Sequence, residues 1–286
     1  MVYCDPMIEL NDWVEAGDRV LVMGIVNVTP DSFYDGGRYV RPETAIDRGL
    51  RLVEEGADLL DVGGESTRPG SRSITVQEEL DRVLPVVEGL RARTPTVLSI
   101  DTTKSEVAEA AISAGATLVN DVSALRFDGR MEDVVARSGA FVVLMHILGT
   151  PETMQQRPTY ADVVAEVRSF LAERVQAAVA AGIPAKRIFI DPGIGFGKTL
   201  AHNLAILRQL ERFTELGRPV LVGVSRKAFL GQLLDLPADE RIEGTIAANT
   251  AAILHGASII RVHDAKEGRR TADVAARLRN HVAASA

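Results

Sequence analysis

The sequence has little cysteine, few aromatic residues and no long apolar run. Its 286 residues include a single cysteine, Cys4, which excludes an internal disulfide. No segment approaches the roughly 18 uninterrupted apolar residues of a membrane span. The first residues, MVYCDPMIELNDW, have neither the basic nor the apolar region of a secretory signal. We therefore expect a protein of the cytoplasm that does not associate with membranes.

An excess of basic charge is also missing. The chain has 32 Lys and Arg against 39 Asp and Glu, a net charge of −7, which argues against a general attraction to nucleic acid. Any anion-binding site must therefore be local. The hydrophobic fraction of 46% is sufficient for a substantial core. Because no low-complexity tract or linker divides the chain, we expect one domain over residues 1–286, with residues 1–18 as an N-terminal lead-in.

Short apolar runs followed by polar or glycine-rich turns recur along the chain. They occupy residues 20–26, 59–63, 96–100, 117–120, 141–145, 187–190, 220–224 and 258–262. Amphipathic segments of helical period separate them, as in TAIDRGLRLVEEGA and QEELDRVLPVVEGLRA. Apolar strands that alternate with helices indicate a parallel sheet covered by helices.

Eight strands are the number in a closed (β/α)8 TIM barrel, an α/β fold. The alternative is an open doubly wound sheet, but no G-x-G-x-x-G follows the first strand. The barrel is therefore favoured. Gly56, Gly115 and Gly182 end helix-like segments, where a left-handed C-cap is expected.

Nearly every predicted strand ends in a polar or charged residue. These residues are Asn27, Glu65 to Arg68, Asp101, Asn120, His146, Asp191, Ser225 to Lys227, and Arg261 with His263. For any one of them, a helix N-cap is an equally good explanation. In a barrel, however, the carboxyl ends of all strands meet at one mouth, where the active site lies. The whole set therefore predicts a polar site at that mouth.

Three loops at this mouth have compositions that suit ligand binding. NVTPDSFYDGG, residues 27–37, is too long for a tight turn and is interpreted as a mobile lid. GGESTRPGS, residues 63–71, offers hydroxyl and guanidinium donors. GVSRKAFLG, residues 223–231, runs from a strand into a helix start, where barrels often bind phosphate.

Four basic residues, Arg68, Lys227, Arg261 and His263, are predicted to form one positive cluster that receives a phosphate or pyrophosphate. Each alone is more typical of a surface ion pair. Asp101, Asp191 and Asn120 indicate a second subsite, for the edge of a nitrogen heterocycle or for a metal. The absence of His-rich or Cys-rich spacing argues against structural zinc.

DPGIGFGKT, residues 191–199, is not a nucleotide phosphate loop, because its glycines do not keep the G-x-x-x-x-G-K-[ST] register. We interpret it as a glycine-lined wall against which a flat ligand lies, with Phe196 available for packing.

Seven ordered motifs, NVTPDSF, GGESTRPGS, SIDT, NDVS, DPGIGFGKT, GVSRK and RVHD, resemble those of the dihydropteroate synthase family of folate biosynthesis. The resemblance covers about residues 20–265. It implies a (β/α)8 barrel, usually a homodimer, that uses Mg²⁺. The implied reaction joins 6-hydroxymethyl-7,8-dihydropterin pyrophosphate to p-aminobenzoate and releases pyrophosphate.

The resemblance also implies roles for individual residues. Asp101, Asn120, Asp191 and Lys227 match the pterin pocket, with Phe196 and Gly223 as further substrate-binding positions. Asn27 matches the metal and pyrophosphate position. Arg68, Arg261 and His263 match the pyrophosphate binders. The p-aminobenzoate positions are Thr67, Pro69 and Ser225, beneath two loops that contain Phe33 and Arg68. The expected catalytic set is Asp101, Lys227, Arg261, His263 and Arg68.

The sequence departs from the family pattern near the p-aminobenzoate positions. Ala228 follows SRK where the family often has Ser, and Ile147 and Leu148 replace residues of its frequent MHMxG. Affinity for p-aminobenzoate and the response to sulfonamide mimics therefore stay open. Two other functions also remain: a folate-binding methyltransferase on a related barrel, and a non-catalytic paralogue. The intact STRPG, SRK and RVH segments argue against the first, and the full set of charged residues argues against the second.

Overall fold

Eight parallel strands form the sheet that the apolar runs predict. The computed structural model describes residues 6–16, 19–29 and 42–283. The strands are β1 Leu21–Asn27, β2 Leu59–Gly63, β3 Val97–Asp101, β4 Leu118–Asp121, β5 Phe141–Met145, β6 Ile188–Asp191, β7 Leu221–Gly223 and β8 Ile259–Val262. Each lies within one or two residues of its predicted position.

Helices follow the strands in alternation. They are α1 Pro6–Ala16, α2 Pro42–Glu54, α3 Val76–Arg91, α4 Ser105–Ser113, α5 Met131–Ser138, α6 Val163–Ala180, α7 Leu200–Arg208, α8 Glu211–Thr214, α9 Ala228–Leu234, α10 Ile242–Leu254 and α11 Ala265–Ala283. Gly56, Gly115 and Gly182 have φ of 103°, 110° and 96°, which confirms the expected left-handed positions after α2, α4 and α6. No helix in the described ranges is long and apolar enough to cross a bilayer.

The strand order is β6-β5-β4-β3-β2-β1-β8-β7. Neighbours in the sheet are therefore consecutive in sequence, apart from the return from β1 to β8, and the order never reverses as it does in a doubly wound sheet. A single parallel bridge between Ile190 and Val220 joins β6 to β7 and closes the sheet. The fold is the (β/α)8 barrel, and the open sheet is excluded.

The amino end of the barrel interior is apolar. Leu21, Leu59, Leu118 and Phe189 belong to one buried cluster there. Helix α1 covers this end: Trp13 stands edge-on to Phe189, with ring centroids 5.9 Å apart, and its Nε1 donates to Arg19 O at 2.9 Å. The segment expected to be only a lead-in thus closes the floor of the barrel.

Two residues further along several strands, the same inward face becomes polar. Because successive side chains alternate between faces, Asp61 follows Leu59, Asn120 follows Leu118 and Asp191 follows Phe189 on one side of the sheet. The outward positions remain apolar and pack against the helices in two large clusters. Polarity therefore rises toward the carboxyl ends of the strands, which is where the site lies.

Candidate functional site

A buried carboxylate connects four strands at the mouth of the barrel. Asp61 of β2 is fully buried. Its Oδ1 accepts from Ser99 Oγ at 2.6 Å, and its Oδ2 accepts from Asn120 Nδ2 at 2.9 Å and from Arg261 Nε at 2.6 Å. These partners lie on β3, β4 and β8, so one side chain sets their relative positions.

Arg261 is held between two carboxylates. Besides its bond to Asp61, its NH2 group donates to Asp101 Oδ2 at 2.8 Å. Burial raises the pKa of Asp101 to about 7, although Arg261 opposes that shift. The expected positive cluster is thus modified, since the charge of Arg261 is balanced in the folded protein. The guanidinium of Arg261 has five N–H groups, and the bonds to Asp61 and Asp101 use two of them, so three remain.

Asp191 lies at the end of β6 and is buried, with 5% of its surface exposed. Its Oδ1 accepts from Gly193 N at 2.7 Å. Burial raises its pKa, and the main opposing influence is the charge of Lys227. This edge of the mouth therefore holds the carboxylate of Asp191 close to the ammonium group of Lys227.

Lys227 lies at the start of α9, and its Nζ donates to Ile194 O. The same Nζ lies 4.6 Å from the centroid of the Phe196 ring. Burial lowers the pKa of Lys227 to about 8. A Cβ atom added to Gly223 would lie 3.9 Å from Lys227 Nζ, so Gly223 borders the same space.

Ser225 and His263 form a pair at the ends of β7 and β8. Ser225 Oγ accepts from His263 N at 3.1 Å and lies 3.0 Å from His263 Nδ1. The hydroxyl hydrogen is then free to donate to Nδ1, which leaves the proton of the neutral ring on Nε2. Burial lowers the pKa of His263 to about 4. His263 therefore offers an N–H donor at neutral pH, rather than the positive charge expected from the sequence.

The loop between β2 and α3, residues 64–75 and called loop 2 below, contains Thr67, Arg68 and Pro69. Thr67 is half-buried, whereas Arg68 and Pro69 are exposed. The charge of Arg68 contributes to lowering the pKa of His263, which places the two groups within electrostatic reach. Gly70 N donates to Pro151 O at 3.0 Å, so the tip of loop 2 rests on the loop after β5.

An ion-pair network anchors loop 2 at its base. Lys104 Nζ donates to Glu65 Oε2 at 2.8 Å and to Glu79 Oε2 at 2.5 Å. Glu65 Oε1 accepts from Ile74 N at 2.7 Å, which joins the start of the loop to its end.

The chain is similar in sequence to known proteins. A sequence model of the family described as "Pterin binding enzyme" matches residues 23–263. Dihydropteroate synthase of Synechocystis is 46% identical over 256 residues, which cover 89% of this chain and 88% of that protein. The chain belongs to the dihydropteroate synthase family.

Solved structures of dihydropteroate synthases share the barrel. One from Xanthomonas albilineans with 4-aminobenzoic acid has a TM-score of 0.85 and 51% identity, over 93% of this chain and 94% of that one. Another from the same organism, in complex with 7,8-dihydropteroate, has a TM-score of 0.81 and 47% identity, over 94% and 95%.

The magnesium expected in the dihydropteroate synthase family has one assigned side chain here, Asn27 at the end of β1. Within residues 6–16, 19–29 and 42–283, no three His, Cys, Asp or Glu side chains are grouped so as to hold a metal ion. Mg²⁺ commonly takes one or two protein ligands, with substrate phosphates and water completing its shell. A single amide oxygen fits such an ion only when diphosphate is bound with it. Phe33 and most of the expected lid lie outside the described residues.

Two groups important to the geometry were missed in the sequence. Asp61 is a carboxylate inside an apolar strand, LLDVG, and that exception was the available signal. Lys198 of DPGIGFGKT is buried, with 3% exposed, and its Nζ lies 2.9 Å from His146 Nδ1. Nothing in the local pattern indicates that contact, because the two residues are 52 positions apart.

Proposed function

We propose that the protein is a dihydropteroate synthase. It would join 6-hydroxymethyl-7,8-dihydropterin pyrophosphate to p-aminobenzoate, giving 7,8-dihydropteroate and pyrophosphate. The observation that carries this proposal is that Asp191, Lys227, Arg261 and His263 converge at one rim. They come from strand ends as far apart in sequence as β6 and β8.

The acidic and amide groups of the site recognise the pterin. An ionised Asp191 accepts two hydrogen bonds from the ring N–H and the exocyclic amine, each worth about 1.5–3 kcal/mol. The charge of Lys227 favours the ionised form of that carboxylate, because it opposes the effect of burial on the pKa of Asp191. Asn120 is held by Asp61 and presents its remaining amide atoms to the ring, while Phe196 and Gly223 border the same space.

The main chemical task is to stabilise the leaving pyrophosphate. We assign this to the spare N–H groups of Arg261, to His263 Nε2–H and to Arg68 from loop 2. Mg²⁺, with Asn27 as its protein ligand, would supply further positive charge at the diphosphate oxygens. The pterin ring delocalises the cation left on its methylene carbon, so the displacement is dissociative and SN1-like.

The second substrate needs positioning more than activation. The aromatic amine of p-aminobenzoate is neutral at pH 7, so it attacks without a strong general base. Thr67 and Pro69 of loop 2, together with Ser225, would orient it, which supplies the proximity contribution. Ala228 lacks the hydroxyl that the family often has beside the carboxylate, and a main-chain N–H there is the remaining donor.

We further propose a homodimer, with residues 1–286 forming one domain and the cytoplasm as its location. Five large apolar side chains support the dimer, because they lie exposed on the last three helices. They are Leu233, Leu234, Leu254, Val274 and Leu278.

The proposal is tested by incubating purified protein with Mg²⁺, the pterin pyrophosphate and p-aminobenzoate, and by measuring pyrophosphate and dihydropteroate. We expect both products in equal amounts. Asp191→Ala should abolish pterin binding, and Arg261→Ala should mainly weaken pyrophosphate binding. Absence of product at saturating substrate refutes the proposal, and methyl transfer from methyltetrahydrofolate would favour the methyltransferase.

A further inference from the structure

Lys198 is the most deeply buried lysine or arginine in the described part of the chain, with 3% of its surface exposed. Burying an ammonium group is costly unless its donors are satisfied. Its Nζ lies 2.9 Å from Gly193 O, 3.0 Å from Phe196 O and 2.9 Å from His146 Nδ1. Three acceptors match the three donors of an ammonium group, so the lysine is fully bonded without a carboxylate among these partners.

Two of these acceptors, the carbonyl oxygens of Gly193 and Phe196, belong to the loop that follows Asp191. Gly193, Gly195 and Gly197 have φ of 68°, 83° and 65°, in the left-handed region. A Cβ atom at Gly193 would collide with the main-chain oxygen of His146, so this loop lies directly against the end of β5. Three carbonyl oxygens of this loop accept hydrogen bonds from the ammonium groups of Lys198 and Lys227.

Gly193 connects Lys198 to the carboxylate. Its carbonyl accepts from Lys198 Nζ, while its N–H donates to Asp191 Oδ1 at 2.7 Å. Lys198 also acts through space, because its charge helps to keep the pKa of Asp191 from rising further. Burial lowers the pKa of Lys198 itself to about 7, and Asp191 opposes that shift. The orientation and the ionisation of Asp191 therefore both depend on this lysine.

We propose that Lys198 is a positioning residue for pterin binding, which fixes the Asp191 carboxylate through Gly193 and holds the wall of residues 193–197. The inference rests on the proposed function. It predicts a selective effect, because the hydrogen bonds of Lys198 Nζ in the described part of the chain go to the wall and to His146 and not to loop 2.

The test compares Lys198→Met, Lys198→Gln and Lys198→Arg with the wild-type protein. The matched control is Lys266→Met, an exposed lysine of α11. Affinity for the pterin pyrophosphate is measured by calorimetry without p-aminobenzoate, and both KM values are measured in the coupled reaction. For Lys198→Met we expect pterin affinity to fall by about tenfold or more, with the KM for p-aminobenzoate within about twofold. Lys198→Arg should recover part of the loss, and Lys266→Met should behave as wild type.

Equal pterin affinity in Lys198→Met and wild type would overturn the inference. An equal rise in both KM values, without recovery in Lys198→Arg, would also overturn it, because a general loss of structure would then be the cause. If Lys198→Met does not fold, Lys198→Gln decides in the same way, since its amide keeps two donors and loses the charge. If the wild-type protein binds no pterin pyrophosphate, the proposed function fails and the inference falls with it.

Discussion

At the scale of single residues, the mouth of the barrel depends on buried groups that need not touch a substrate. Asp61 accepts three hydrogen bonds and thereby orients Asn120 and Arg261, both of which we assign to substrate binding. A carboxylate in such a place is costly to bury but more costly to leave half-paired. We therefore expect the loss of Asp61 to affect both stability and activity.

We expect Asp61→Asn to lower the free energy of unfolding by about 3 kcal/mol, because Arg261 loses its fully buried partner. Substrate turnover should also fall, because Arg261 and Asn120 lose the carboxylate that orients both of them. Urea unfolding and steady-state kinetics measure the two effects. The control is Asp58→Asn at the opposite end of the barrel, where Asp58 pairs with Arg19 and Arg269. Asp58→Asn should leave both KM values unchanged, and similar kinetic losses in the two variants would contradict the assignment.

The pKa of Lys227 predicts the alkaline side of the pH profile. Burial lowers it from the ordinary value of 10.5 to about 8. The ammonium form is therefore present below pH 8 and is lost as the pH rises through 8, and Asp191 then loses its main cation. We expect kcat/KM for the pterin pyrophosphate to decline above about pH 8. In Lys227→Arg the decline should move to higher pH, because a guanidinium stays charged. If the decline of kcat/KM in Lys227→Arg begins at the same pH as in the wild-type protein, another group is responsible for it. Lys198 is the nearest alternative.

At the scale of elements, loop 2 combines an exposed tip with a tightly bonded base. The tip carries Arg68 and Pro69, whereas Lys104, from the start of α4, bonds Glu65 at the base. Lys104 also bonds Glu79 of α3, whose side chain is fully buried. Among the residues that the structure describes, Glu79 Oε1 has no hydrogen-bond partner. The network therefore leaves Glu79 dependent on a single cation.

Removing that cation should damage both stability and loop order. We expect Lys104→Met to cost about 3 kcal/mol, because it leaves a buried carboxylate unpaired. Adding Glu79→Leu should restore much of the stability without restoring the loop, since Glu65 still lacks its partner. Urea unfolding gives the first result, and hydrogen exchange over residues 65–74 gives the second. If the double variant is no more stable than the single one, the proposed dependence of Glu79 on Lys104 is wrong.

The strands could be predicted because each is a short apolar run between turn-forming residues, and helix ends such as Gly56 carry a local signal. The location of the mouth followed from where those strands end. The links within the site could not be predicted, because they depend on the register between strands. Asp61 meets Arg261 across 200 positions, and Lys198 meets His146 across 52. The closing role of α1 was missed for the same reason, since Trp13 contacts a strand far along the chain.

At the scale of the whole molecule, polarity is distributed along the barrel axis. The amino end is apolar and covered by α1, while the carboxyl end holds charged side chains that largely neutralise one another. Because the chain has a net charge of −7, the diphosphate binding that we propose must depend on the groups at this one rim and not on the charge of the whole protein. Exposed apolar side chains are also distributed unevenly over the outer surface. The exposed Leu and Val side chains of α9, α10 and α11 lie close in sequence, and α10 packs against α11.

Exposed apolar side chains grouped on neighbouring helices are typical of an interface between protein chains. We expect the wild-type protein to sediment as a dimer at micromolar concentration. Val274 and Leu278 are 61% and 52% exposed. Replacing both with lysine should give a folded monomer, because the lysines of one protomer would be buried against the like charges of its partner across a twofold axis. Val179→Lys on α6 is the matched control: Val179 is 43% exposed but lies away from these helices in the chain, and the dimer should persist. Analytical ultracentrifugation measures all three. A wild-type protein that sediments as a 30.8 kDa monomer would rule out the dimer, and a dimer that survives both lysines would place its interface on another face.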